Sequence, residues 1–340
     1  GLINEHQAVR SKAGLFDISH MGVIKLEGKN TKNALQQLIP TDIYRINNGE
    51  ACYSLLLNEN GGIIDDLLIY DIGLNSDNQE ILFLVINAAS TEKDIQWLKQ
   101  HLIPQGIHIS DEKNNGCLLA LQGPEAGKLL SRYCQEAIEQ MPRFSHKTIN
   151  LKNLKPASTN SMFIARTGYT GEDGFEILLT SADAKILWKE LISKGVTPCG
   201  LGSRDTLRLE AGMHLYGSDI SSSTTPFEAG LGWTVHLEMP STFIGRTALE
   251  KQASSGIKRK LIGIEMKDRS IPRKGYSVFI EEEKVGTITS GTWSPSLQKG
   301  IAMAYVPKEF AELGRALSIE VRGKKYLGNI VKRSFYQRNS

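Results

Sequence analysis

Short runs of apolar residues, alternating with polar positions near the start and the end of the chain, recur along this sequence, and segments of helical character lie between them. Leu2 to Ala13 predicts a short helix, and after Gly14 the alternation from Met21 to Gly28 predicts a half-buried strand. Strand-like runs at Ala51 to Leu57, Ile63 to Tyr70 and Ile81 to Ile86 lead into a helix from Thr91 to about His101, with another near Glu125 to Cys134. Two more strands, Ser161 to Arg166 and Gly174 to Leu179, flank a turn-rich segment from Thr167 to Asp173, and helices follow from about Ala182 and about Ser203. Strands come in clusters with helices between them. That is the α+β pattern, in which strand pairs need not be parallel.

A boundary is expected in the stretch from Met239-Pro240-Ser241-Thr242 to the polar segment Lys251 to Lys260, which separates residues 1–250 from 251–340. Beyond it, Lys260 to Met266, Tyr276 to Ile280, Lys284 to Thr289, Ile301 to Val306, Ser318 to Val321 and Lys325 to Val331 are short alternating runs divided by Gly, Pro and charged turns. Even spacing of this kind predicts a small antiparallel barrel or sandwich. No repeat recurs at a fixed period.

Composition narrows the function classes. Hydrophobic residues make up 40% and charged residues 23% of 340, enough to bury a core without metals or disulfides. Forty Lys and Arg against 37 Asp and Glu leave a net charge of +3, too little for the basic stripe of a dedicated nucleic-acid binder. The longest near-apolar run, Ile81 to Ile86, is far shorter than the ~20 residues a membrane helix needs. Cys52, Cys117, Cys134 and Cys199 are widely spaced and read as free thiols. With no sequon or signal segment, the cytosol is expected, or the mitochondrial matrix if a transit peptide preceded Gly1.

The common catalytic signatures are missing. There is no nucleophile elbow, P-loop or H-E-x-x-H, and Gly200-Leu201-Gly202 lacks the third glycine of a dinucleotide fingerprint. The histidines show no ligand spacing, so no metal and no nucleotide are expected. What stands out is Asn58-Glu59-Asn60-Gly61-Gly62-Ile63-Ile64-Asp65-Asp66-Leu67-Leu68-Ile69-Tyr70, a turn feeding a strand with adjacent acids. Strand alternation sends Asp65 and Asp66 to opposite faces, and it groups Asp66 with Ile64, Leu68 and Tyr70, where a carboxylate needs a partner. By that reading Asp65→Asn costs much less than Asp66→Asn. The segment Arg166 to Glu176 places three glycines and Tyr169 in one loop, which fits plain turn chemistry as well as a ligand loop. Ser203 is placed to cap a helix, which puts Arg204 at its positive end; Arg204 either snorkels to solvent or is held by a carboxylate or ligand.

Asp17-Ile18-Ser19-His20-Met21-Gly22, Asn58 to Asp66, Arg166 to Glu176, Gly200 to Leu209 and Pro226-Phe227-Glu228-Ala229-Gly230-Leu231-Gly232-Trp233 together resemble the motif series of the glycine cleavage system T-protein family. The resemblance runs in order from about Gly1 to Arg338. It implies two interleaved α+β folate-binding domains and a C-terminal antiparallel β-barrel in a cloverleaf around tetrahydrofolate. Family members carry a further segment ahead of the point matching Gly1, so a chain that starts inside the family's length is expected.

The implied activity is aminomethyl transfer from the dihydrolipoyl arm of an H-protein to tetrahydrofolate, giving 5,10-methylenetetrahydrofolate and ammonia with no enzyme nucleophile. By resemblance Asp66 is the catalytic carboxylate beside the N5 and N10 edge of the folate, and Glu176 pairs with the pterin amide and amino group. Tyr53, Leu68, Tyr70, Asn87, Tyr169 and Trp233 resemble the folate pocket lining, and Arg204 a ligand-binding arginine. Two other members of the superfamily remain open on sequence: a folate-dependent demethylase or folate half of an oxidation system, and a non-catalytic folate-binding iron-sulfur assembly factor. The first usually carries a flavin domain, for which this chain has no room. The second typically shows a Lys-Gly-Cys-Tyr-type motif that is absent here.

Overall fold

The computed structural model describes residues 1–112, 116–155 and 161–338. In chain order, α1 (Leu2–Ser11), β1 (Gly14–Asp17), β2 (Gly22–Gly28) and α2 (Thr31–Gln36) precede the strands β3 (Ala51–Leu57), β4 (Ile63–Leu74) and β5 (Glu80–Ile86). Then come α3 (Thr91–Leu102), β6 (His108–Asp111), β7 (Gly116–Gln122), α4 (Ala126–Leu130), β8 (His146–Asn150), β9 (Ser161–Ala165) and β10 (Gly174–Thr180). The remainder is α5 (Ser181–Ser193), β11 (Thr197–Cys199), α6 (Leu201–Glu210), α7 (Pro226–Ala229), α8 (Arg246–Ser255) and the barrel strands β12 (Arg259–Met266), β13 (Ser277–Ile280), β14 (Glu283–Ser294), β15 (Lys299–Pro307), β16 (Ala316–Val321) and β17 (Lys324–Val331).

One sheet runs β11-β1-β7-β10-β9-β8 and the other β3-β4-β5-β2-β6. Consecutive strands β1 and β2 therefore lie in different sheets, and the chain returns to the first sheet only at β7. This makes the two α+β units interleaved. Each sheet buries one face under helices: Leu187 and Leu191 of α5 pack with Phe175 and Ile177, while Leu98 and Leu102 of α3 pack with Leu67, Ile69 and Leu84. Each such fully buried leucine contributes about 1.5–3 kcal/mol.

The third unit is a closed barrel in the order β12-β15-β14-β13-β16-β17, with β12 paired to both β15 and β17. Closure removes the exposed edges that an open sheet of this size would present. Strand β14 continues to Ser294, five residues past the expected end at Thr289. A register shift between Ile288 and Ser290 carries it through the Ser-Gly pair that reads as a turn. The expected division at 250/251 falls inside α8, whose Leu249 packs with Leu55 and Leu57 of β3; Gly256 (φ 81°) ends the helix before β12.

A second bulge matters more. Leu56 pairs with Asp65 and Leu57 with Ile63, which leaves Ile64 as an extra residue. Strand parity reverses there, so Ile64 packs with Leu67 and Ile69, on the face opposite Leu68, and not with Asp66 as simple alternation requires.

Candidate active site

A cavity of about 770 Å³ opens where the three units meet. Its wall draws Tyr53 from β3, Asp66 and Leu68 from β4, Asn87 after β5, Tyr169 and Glu176 from the β9–β10 segment, Arg204 from α6, Trp233, and Arg333 from just beyond the barrel. The structure thus brings together eight of the nine residues the sequence singled out. Tyr70 is the exception: it is 1% exposed and stands behind the wall, where its hydroxyl donates to Glu176 Oε2 at 3.5 Å and contacts Thr167 Oγ1 at 3.3 Å. It shares Leu68's strand face, but it is packed against the T-shaped ring of Phe163 and cannot reach the cavity.

Asp66 is bonded on both oxygens. Tyr53 donates its hydroxyl to Oδ2 at 3.0 Å, and Asn87 donates Nδ2–H to Oδ1 at 2.8 Å. Burial, followed by the nearby Asp65 carboxylate, pushes the Asp66 pKa up to about 7, against the pull of these two donors. Burial, then the adjacent Asp66 charge, also raises the Tyr53 hydroxyl well above its ordinary range, so it stays a donor. Asp65 points to the other strand face and is fully buried, yet it is not independent of the site. Asn87 donates its backbone N–H to Asp65 Oδ2 at 3.2 Å and its side chain to Asp65 Oδ1 at 2.9 Å. One amide spans both acids, which corrects the expectation that opposite strand faces separate them.

Glu176 is 6% exposed and takes the Thr167 hydroxyl on Oε2 at 2.6 Å, the same oxygen that Tyr70 meets. The loop before it is shaped by contact more than by turn preference. Gly171 alone of its glycines has positive φ, whereas a Cβ on Gly168 would lie 2.0 Å from Gln122 Oε1 and one on Gly174 2.6 Å from Gln122 Nε2. The buried Gln122 side chain holds the loop by donating to Thr167 O and accepting from Thr170 Oγ1. Arg166 and Asp173 close its base with a 2.6 Å ion pair.

Ser203 does not cap α6. Gly200 is the N-cap, and Ser203 sits one turn inside, donating to Gly200 O. The capping carboxylate is Glu5 of α1, which accepts from Gly200 N–H at 2.9 Å and Ser203 Oγ at 3.0 Å; the Gly200 bond holds its pKa down. Arg204 lies over the Tyr169 ring at 4.8 Å, and its buried Nη1 has no hydrogen-bond partner. Burial weakens its hold on a proton, with the Glu176 charge opposing. Trp233 is 63% exposed and stacks on Tyr53 at 5.7 Å, so neither it nor Leu68 is plain core.

Sequence reading missed Arg333, His214 and Asp94. Arg333 reaches His214 and donates to Gly230 O, and burial with that cation beside it lowers His214 to about 4, leaving it neutral. Nothing local to residue 333 signals this. Asp94 did leave a signal: it shares the buried stripe of α3 with Leu98 and Leu102, at i, i+4 and i+8, where an acid is out of place.

Residues 1–239 match the GCVT N-terminal domain family, and residues 259–337 match the Glycine cleavage T-protein C-terminal barrel domain. An aminomethyltransferase of Prochlorococcus marinus (strain MIT 9313) is 57% identical over 340 residues, covering 100% of this chain and 91% of that protein. One from Synechococcus sp. (strain CC9902) is 54% identical over 338 residues, covering 99% of this chain and 92% of its own length. The crystal structure of glycine cleavage system aminomethyltransferase T from Bartonella henselae superposes with a TM-score of 0.90 at 34% identity, over 99% of this chain and 90% of that one.

Proposed function

The chain belongs to the glycine cleavage T-protein family and has its aminomethyltransferase function; from that premise we propose how its residues carry the one-carbon unit from the dihydrolipoyl arm of an H-protein to tetrahydrofolate. The observation that carries the assignment is Asp66, a carboxylate on the cavity wall bonded by Tyr53 and Asn87 and poised near neutrality.

The donor set fits a folate. Tyr53, Tyr169 and Trp233 supply flat apolar faces for a pterin and a benzoyl ring, and Glu176 offers a buried carboxylate to its paired N–H donors. The orphaned Arg204 Nη1 is placed for a ligand oxygen. When bound, tetrahydrofolate supplies the N5 nucleophile, so no side chain needs to form a covalent bond.

Asp66 stands as an anion where positive charge develops on the aminomethyl carbon as ammonia leaves. Preorganised charge of this kind supplies roughly 3–4 kcal/mol to a transition state. Tyr53 and Asn87 hold the carboxylate in place, and Glu176 and Arg204 fix the far end of the co-substrate so that its reacting edge faces Asp66. The apolar wall keeps water from the aminomethyl carbon. Four free thiols suit a reducing compartment, and we place the reaction in the cytoplasm. No described helix is long and apolar enough to cross a membrane.

The test is ammonia release from aminomethyl-loaded H-protein with and without tetrahydrofolate. Release that accelerates with folate is expected. Folate binding without any release would reject the transferase reading in favour of a non-catalytic folate binder.

A further inference from the structure

Outside the cavity wall, Asp94 stands as an unpaired buried acid. It is fully buried on α3, and neither carboxylate oxygen has a hydrogen-bond donor. The groups that face it are Asp65 and Asp66 from β4 and Lys93 from its own helix. Lys93 approaches to only 3.8 Å and is half exposed, with its ammonium already donating to Ile64 O at 2.7 Å and Tyr216 Oη at 3.1 Å. Asp65, which acts on it most strongly of the three, is itself a carboxylate and fully buried.

Two ionised carboxylates cannot share a buried site without a donor between them. A single proton resolves the arrangement, and its place follows from the hydrogen bonds. Asp65 already receives two N–H groups from Asn87, whereas Asp94 receives none. The proton therefore sits on Asp94, whose O–H then becomes the third donor to Asp65.

We propose that Asp94 is a positioning residue for aminomethyl transfer: a neutral acid that donates to Asp65, which anchors the Asn87 amide, which presents its N–H to Asp66. This rests on the role assigned to Asp66 above. Asn87 needs the anchor because its one side-chain amide serves Asp65 Oδ1, Asp66 Oδ1 and the Asp66 carbonyl together. If Asp94 lost its proton, a second buried anion would press on Asp65 and disturb the amide that steadies the reactive carboxylate. Burial, then the Asp65 contact, pushes Asp94 up to about 9, which keeps it protonated at neutral pH.

Four measurements on the 340-residue chain test this. Asp94→Ala removes the donor and should lower kcat about tenfold, the scale of one buried hydrogen bond, with folate affinity by tryptophan fluorescence unchanged. Asp94→Asn keeps a neutral donor and should restore kcat to within about threefold of wild type. Wild type should lose activity as pH rises through about 9, and Asp94→Asn should lack that limb. Infrared difference spectra should show a protonated carboxyl C=O band in wild type that Asp94→Asn removes. If Asp94→Ala does not fold, the limb and the band in Asp94→Asn decide the matter. A basic limb that persists in Asp94→Asn, an unchanged band, or an Asp94→Asn loss as large as that of Asp94→Ala would each overturn the proposal. Wild-type turnover in Asp66→Asn would instead remove the functional reading of Asp66 while the band still locates the proton.

Discussion

Replacing Asp66 by Asn removes one charge and leaves nearly everything else in place. The Asn87 N–H can still donate to an amide oxygen, and the Tyr53 hydroxyl can turn to accept from the new NH2. Strand β4 and the cavity wall should hold. What is lost is the anion, and a preorganised charge of this kind is worth roughly 3–4 kcal/mol in the transition state, or about 100- to 1,000-fold in turnover. The shifted pKa sharpens the expectation. With a value near 7, about nine-tenths of wild-type Asp66 is ionised at pH 8 and about one-tenth at pH 6, so wild-type kcat should fall about tenfold between them. The Asn variant should be flat over the same window. The assay is ammonia release from loaded H-protein at saturating tetrahydrofolate, paired with a fluorescence titration that should show folate affinity within a few-fold of wild type. Stability should move the other way. The folded pKa lies above the unfolded value of 3.8, so the group's favourable contribution is complete below that value and is lost as pH rises through about 7. Asp66→Asn should therefore raise Tm at pH 8 and leave it unchanged near pH 4. Turnover above a tenth of wild type at pH 8, or a pH dependence that survives the substitution, would refute the reasoning.

Glu176→Gln should weaken folate binding about tenfold or more, because an amide sets a donor against donors; unchanged affinity in a fluorescence titration would mean that another group reads the pterin edge. Arg204→Lys keeps the charge but loses the guanidinium fork, so KM for folate should rise about tenfold with kcat less affected; steady-state kinetics at varied folate decide this. Exposed Arg143 at the cavity and the nearby Arg338 should steer an acidic H-protein, so kcat/KM for the loaded protein should fall from low to physiological ionic strength while free aminomethyl-lipoamide shows almost no change. An equal salt response from both substrates would place the effect in the folate site.

Much of this architecture was legible in the chain itself. Short-range alternation marks β2 and the six barrel strands, while β3, β4, β5, β9 and β10 are legible as short, mostly apolar runs bounded by turn residues, several of them buried on both faces. The acid pair after Gly61-Gly62, the glycine loop before Glu176 and the aromatic set were visible as residue types, and the family resemblance joined them into a site. Local pattern failed where a partner distant in sequence made the decision. The bulge at Ile64 is set by pairing with Leu56 and Leu57, and it reverses a parity that no reading of β4 alone can detect. The cap of α6 is a carboxylate 195 residues away, so the local pattern around Ser203 points to a role that Glu5 performs. Tyr70 has the aromatic character of a pocket residue, but Phe163 of the other sheet and Thr167 in the loop beyond it wall it off. Asp65 and Asp66 are separated by strand geometry and rejoined by Asn87, whose position depends on β5 lying beside β4. Side-chain periodicity is a property of the local backbone, whereas hydrogen-bond partners and burial belong to surfaces that meet only after folding. Residue types and the faces of unbulged strands could therefore be read from the chain, while the side of Ile64, the proton on Asp94, the orphaned nitrogen of Arg204 and the shared amide of Asn87 exist only in the folded molecule.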